Sequence, residues 1–192
     1  MRTVLVLVLV LMAGCARPAD LARPGTRLTP APTGTPTSAA PVPGGCSSGG
    51  VALTATGVDG ALGLRAMGVV IRNCGDGVVV LHGYPAARLA DADHAPIDVT
   101  VTDGVTNTIE TWPADPPTVT LHPGESAETV LVWRNITTSD RPATGAYLDL
   151  ATADGEPYAP VALDQSIDLG DTGVLAVGAW RAHATIGGGE GE

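Results

Sequence analysis

The side chains in this 192-residue sequence whose types and spacing bear on chemistry are three cysteines, four histidines and a short run of aspartates. Cys15 closes the stretch Leu-Met-Ala-Gly-Cys, behind Arg2 and an unbroken apolar run from Val4 to Met12. A charged start, a greasy middle and small residues before a cysteine stand in the order of an export signal. Ala13 and Gly14 are small enough to enter a peptidase site, and the Cys15 sulfur is a nucleophile on which a diacylglycerol can be placed. Cys46 and Cys74 form an even pair in a chain expected to be exported, where a disulfide is permitted. Closing their loop of about 28 residues removes unfolded-state entropy worth roughly 3.5 kcal/mol on the chain model. The aspartates Asp91, Asp93 and Asp98, with His94 among them, could offer hard oxygens to Ca²⁺. They lack the glycine and terminal glutamate of a calcium loop, and a polar hairpin between two strands explains them equally, so no metal and no cofactor is expected.

Other chemistry finds little support. There is no G-x-S-x-G elbow, phosphate loop or H-E-x-x-H, and with no lysine in the chain no lysine-dependent reaction is open to it. His82, His94, His122 and His183 stand singly at strand ends and turns. An enzyme is not expected, and a hydrolase using paired carboxylates is favoured by no spacing. The chain has 20 acidic and 10 basic side chains. Loss of residues 1–14, which carry one basic and no acidic side chain, leaves a net charge of −11. That balance argues against binding nucleic acid or an anionic membrane face by charge.

The apolar run is about half of the roughly 20 residues needed to cross a bilayer and suits the core of a signal peptide. Residues 1–14 are therefore expected to be removed and Cys15 to be lipidated, a pattern that resembles the lipobox of bacterial lipoproteins, with Met12 standing where Leu is usual. Residues 15–45 are expected to be a disordered tether. Pro18, Pro24, Pro30, Pro32, Pro36, Pro41 and Pro43 recur there among Thr, Ala and Gly, with too little apolar surface to offset ordering entropy. Such a segment reaches about 30 Å as a coil and up to about 90 Å as polyproline II. Thr26, Thr29, Thr33, Thr35 and Thr37 beside the prolines are candidate glycosylation sites. Asn135-Ile136-Thr137 matches the eukaryotic sequon, which behind a bacterial signal is read as chance.

From Cys46 to His183 the pattern predicts one domain of short strands: Val51–Thr56, Leu62–Arg72, Val78–His82, Arg88–Asp91, Ile97–Thr102, Thr118–Leu121, Ala127–Arg134, Ala146–Ala151 and Val174–Arg181. Leu148 and Leu150 alternate with Tyr147 and Asp149, which places the two leucines on one face. Trp112, Trp133 and Trp180 are expected as buried anchors in a core of Val, Leu, Ile and Ala. Residues 184–192 are expected to be a disordered Gly/Glu tail. The fold class predicted is all-β, an antiparallel sandwich behind a disordered linker.

Asn73-Cys74-Gly75, Leu81-His82-Gly83-Tyr84-Pro85, Leu89-Ala90-Asp91-Ala92-Asp93, Leu121-His122-Pro123-Gly124-Glu125-Ser126-Ala127 and Val132-Trp133-Arg134-Asn135 together resemble the actinobacterial family called domain of unknown function 4232. The resemblance spans nearly all of the chain from Cys46 onward. It departs where many members carry their second cysteine, at the place held here by Val79. It implies secreted or lipid-anchored proteins, an immunoglobulin-like β-sandwich and no established activity, and it carries over no catalytic residue. The motifs also have a local physical sense, because Pro123-Gly124 sets a turn and Gly83-Tyr84-Pro85 ends a strand.

The function expected is that of a non-catalytic cell-envelope lipoprotein, held to the membrane by its N-terminal lipid outside the cytoplasm. Its domain would bind a protein, glycan or envelope component. The alternative is an extracytoplasmic small-molecule or metal-binding accessory lipoprotein, which would need a pocket with convergent polar groups.

Overall fold

Two long alternating segments make the first antiparallel hairpin, Val51–Ala61 (β1) and Leu64–Asn73 (β2). Leu53 faces Ile71 and Ala61 faces Leu64 across it. The two residues between them, Leu62 and Gly63, both take positive φ (50° and 79°), as a two-residue hairpin turn matching strand twist requires. The strand expected from Leu62 therefore begins two residues later. The computed structural model describes residues 43–139 and 142–183. The expected signal (1–14), Cys15, the tether up to residue 42 and the tail at 184–192 lie outside the described residues.

β2 pairs along its length with Ser126–Arg134 (β8), from Leu64 opposite Arg134 to Arg72 opposite Ser126. β8 carries the continuous run Val130-Leu131-Val132-Trp133 because both of its faces are buried. Leu131 and Trp133 join the main core, while Val130 and Val132 meet Trp112 and Val105 in a second cluster. Val174–Val177 (β13) pairs antiparallel with the second half of β8, and Arg181–Ala182 (β14) with the first half. The strand expected at Val174–Arg181 is thus broken at residues 178–180. A Cβ on Gly178 would lie 2.5 Å from Nε1 of Trp112, whose indole crosses the backbone there and donates to the carbonyl of Ala179 at 2.9 Å.

On the other side of β1 the sheet continues through Ala159–Ala162 (β11), Tyr147–Ala151 (β10), Ala86–Ala90 (β4) and Pro96–Ile97 (β5). β11 pairs with β10 through Ala159 and Pro160, then with β1 through Val161 and Ala162. At the far end β13 pairs with Thr100–Asp103 (β6). The prediction of a purely antiparallel fold is corrected here, since β1–β11 and β6–β13 are both parallel. The expected strand Ile97–Thr102 is also two strands, β5 and β6, at opposite ends of the sheet order. Only Asp98 and Val99 separate them, a span of about 10 Å at full extension. The sheet must therefore curl until its two ends come together.

Val79–His82 (β3) with Thr118–Leu121 (β7), and Ala143–Gly145 (β9) with Ile167–Gly170 (β12), form two-stranded sheets. They close over the curled sheet and contribute Leu81, Val119, Leu121, Ile167 and Leu169 to the same core. Leu148 and Leu150 are buried in that core and Tyr147 is exposed, as the alternation predicted. The three tryptophans are buried, and each indole N–H is satisfied: Trp112 by Ala179, Trp133 by Asp168 at 3.0 Å, Trp180 by the Thr152 carbonyl at 2.8 Å. Full burial of each leucine, isoleucine or valine of this core stabilises by about 1.5–3 kcal/mol. The described residues contain no helix, so none of them forms a helix long and apolar enough to cross a membrane.

Candidate functional site

The sequence motifs resolve into architecture. Cys46, just before β1, and Cys74, just after β2, form a disulfide with their Cα atoms 5.9 Å apart, which ties the start of the domain to the end of the second strand. Beside it the buried Asn73 amide donates to the carbonyls of Gly77 (2.7 Å) and Leu121 (2.9 Å), and its Oδ1 accepts from the Gly75 N–H at 3.1 Å. The Leu-His-Pro-Gly-Glu turn docks on the same residue. Gly124, at φ 88°, donates its N–H to the Asn73 carbonyl at 2.7 Å, and Glu125 takes the His122 N–H at 2.7 Å. The Gly83 carbonyl accepts from the N–H of Trp180 at 3.0 Å.

The aspartate run is a hairpin. Oδ1 of Asp91 accepts the N–H groups of Asp93 and Ala95, both at 2.9 Å, which spends that oxygen on the turn. Among the described residues no group of three or more His, Cys, Asp or Glu is placed to hold a metal ion, so Asp91, Asp93 and Asp98 are not gathered as a ligand set. His94 instead stacks on Tyr147, ring centroids 4.0 Å apart and planes 19° from parallel.

Two other carboxylates are engaged in binding loops to strands. Burial pushes the Asp168 carboxyl up, but hydrogen bonds from Trp133 and Asn135, with the Arg65 guanidinium at 3.5 Å, outweigh it and hold the group below its ordinary value. The Asn135 amide of the sequon is thereby occupied, donating to Asp168 at 2.7 Å. Asp171 is lowered to about 2 by the Ser139 hydroxyl, then by the N–H and hydroxyl of Thr138.

The surface that these ties leave open lies on the outer face of β4, β10 and β11. Arg88 stands directly opposite Asp149, and Asp149 opposite Pro160, so the three form a row across the strands. Arg88 donates to Asp149 through Nε at 3.0 Å, with its second nitrogen at 2.9 Å, while its guanidinium lies 4.3 Å from the centre of the Tyr158 ring. A cleft of about 760 Å³ opens over this row, lined by Pro43, Arg88, His94, Tyr147, Tyr158 and Pro160 among others. Pro43 and Gly44, assigned by sequence to the tether, form a turn here, with Gly44 against Ala162. Two further hollows of about 430 and 410 Å³ adjoin it, the first reaching His82, Tyr84, Asp103 and Asp154, the second Ser47, Val80 and Glu156. Tyr158 borders all three.

Sequence reasoning placed Tyr147 and Asp149 outward through the period of β10, but missed Tyr158 and Arg88. Tyr158 precedes β11, whose sequence Ala-Pro-Val-Ala gives no strand signal because its proline cannot donate to a ladder.

A family model described as a domain of unknown function, DUF4232, matches residues 46–181. No curated protein and no solved structure matches the chain.

Proposed function

The chain belongs to the DUF4232 family, and from that premise we propose that it is a non-catalytic lipoprotein of the bacterial cell envelope which binds an envelope component through the furrow around Tyr158. The observation that carries this is the placement of its tyrosines. The sequence holds three, and Tyr84, Tyr147 and Tyr158 all line the connected hollows, while the three tryptophans are buried. Amphipathic rings on a surface are enriched where proteins bind. The titratable groups described above are engaged in turns and ion pairs, which leaves the furrow rather than a reactive constellation as the exposed chemistry. We read the curled sheet as an immunoglobulin-like sandwich in which β11 and the β5–β6 segment pass between layers. By analogy with binding domains of that architecture, the ligand is assigned to a face or to loops.

Cys15 as a lipidated residue, removal of residues 1–14 and a tether from 15 to about 42, where the turn at Pro43 and Gly44 begins the domain, complete the reading: the domain is held outside the cytoplasm at a distance from the bilayer. A second reading keeps a foothold in the main cleft, whose volume falls within the range of small-molecule sites.

Radiolabelled palmitate should incorporate into the wild-type chain and not into Cys15→Ser. Crosslinking in intact cells should then capture envelope material with the wild type and lose it in a Tyr147→Ala/Tyr158→Ala double variant. Absence of label, or capture indifferent to both tyrosines, defeats the proposal.

A further inference from the structure

Resting on the reading of this domain as an envelope-binding module, we propose that the furrow takes an extended, uncharged polysaccharide, laid across more than one of the three hollows with its rings against Tyr147 and Tyr158.

The chain has no phenylalanine. Its large aromatic side chains divide cleanly: three tryptophans inside with their N–H groups satisfied, three tyrosines along one furrow. Tyr147 and Tyr158 are 42% and 37% exposed, enough to offer ring surface. Both rings are held in place by planar neighbours, His94 stacked on the first and the Arg88 guanidinium over the second. Rings fixed in this way lose little freedom on binding. A sugar ring carries patches of C–H that suit an aromatic face and hydroxyls that suit carboxylates and phenols beside it. The furrow supplies both kinds of surface, since Asp149 lines the same cleft as the two rings and Asp103 and Asp154 line the adjoining hollow.

Charge narrows the class further. Asp98, Asp103, Asp149, Asp154 and Glu156 line the hollows, and the one arginine among their lining residues, Arg88, is paired with Asp149. A phosphorylated, sulfated or uronic polymer would meet net repulsion; a neutral one does not. An extended peptide is disfavoured by the backbone. The floor is the face of strands already paired with one another, and the bordering edge strand β5 is two residues long and contains Pro96, which has no N–H to offer. Strand addition, the usual source of main-chain affinity for an extended peptide, is therefore poorly served. Three hollows meeting at Tyr158 suit a polymer better than a single sugar.

The test uses the full mature chain, lipidated and in detergent micelles, titrated calorimetrically with linear gluco-, manno- and galacto-oligosaccharides of increasing length. A proline-rich peptide and a uronic acid oligomer serve as comparators. The expected result is saturable binding to at least one neutral series, tightening with length and little changed by added salt. Tyr147→Ala and Tyr158→Ala should each weaken it by about tenfold or more, as loss of an aromatic anchor does. Tyr147→Phe and Tyr158→Phe, which keep the ring, should retain most of the affinity, and thermal melts of all four variants identify any that fail to fold. No binding to any neutral series, binding unaltered in well-folded alanine variants, or preference for the peptide or the uronic oligomer overturns the proposal. If crosslinked envelope material is still lost in the double variant, the binding-module reading stands and only the ligand class falls.

Discussion

At the scale of single residues, polar side chains in this domain hold loops to strands. Asn73 is the fullest case: a buried amide that fastens the turn after β2 and the end of β7 through three hydrogen bonds. Asn73-Cys74-Gly75 is legible as a motif in the sequence, and so is the pairing of its cysteine in a chain expected to be exported. The role of the asparagine depends on Leu121, 48 positions away, which no local pattern reveals. Asp171 gives a measurable consequence. Its carboxyl is held at about 2, below the ordinary value of 3.8, so the native state favours the charged form. A depressed carboxylate contributes stability that is fully present above about pH 4 and is lost as pH falls through about 2. An Asp171→Ala variant should melt lower than wild type at neutral pH, and the two melting curves should converge as the pH is lowered from about 4 to about 2. A gap that stays constant over that window would contradict the assignment. The site is exposed, so the difference should be small and should shrink further in salt.

At the scale of elements, the strand pattern placed β2, β7, β8 and β10 within two residues of where they lie and assigned the faces of β10 correctly, but placed breaks poorly. Alternation gave the faces of β10 because the side-chain period of a strand is rigid, whereas β8, buried on both faces, shows as a continuous apolar run. β13 and β14 read as one strand, since nothing in Gly-Ala-Trp announces that an indole from residue 112 lies across residue 178. That close approach predicts a specific intolerance. Gly178→Ala would push a methyl into Trp112 and into Val130, which lies 2.9 Å from the same position. Overpacking of this kind costs about 1–3 kcal/mol. Gly57→Ala, where an added Cβ meets nothing within 4 Å, should cost far less. Urea denaturation of the two variants beside wild type makes the comparison, and equal midpoints would refute it. β9, β11 and β12 escaped prediction for physical reasons: three or four residues, a proline or terminal glycine, and burial conferred by neighbours rather than by their own composition.

At the scale of the whole molecule, the Cys46–Cys74 bridge secures the end of the domain nearest the expected tether. Its loop separation of 28 residues corresponds to roughly 3.5 kcal/mol on the chain-entropy model. Reduction should therefore lower the urea midpoint and, because it lets the denatured chain expand, somewhat steepen the slope, and a Cys46→Ala/Cys74→Ala variant should match the reduced wild type. Unchanged stability on reduction would show that the native contacts alone fix this end. By itself the sequence determined the all-β class, the family, the pairing of its second and third cysteines, the burial of three tryptophans and the outward face of β10. The family follows from the resemblance of its motifs; the others follow from composition, from an even cysteine pair in a chain expected to be exported, or from a two-residue period, all of them legible along the chain itself. Only the tertiary structure decided that β1–β11 and β6–β13 run parallel, that β5 and β6 lie at opposite ends of one curled sheet, and that Arg88, His94, Tyr147 and Tyr158 share a furrow. Alternation fixes which way a side chain points from its own strand. Which strand lies alongside is settled by how the whole chain closes over its core.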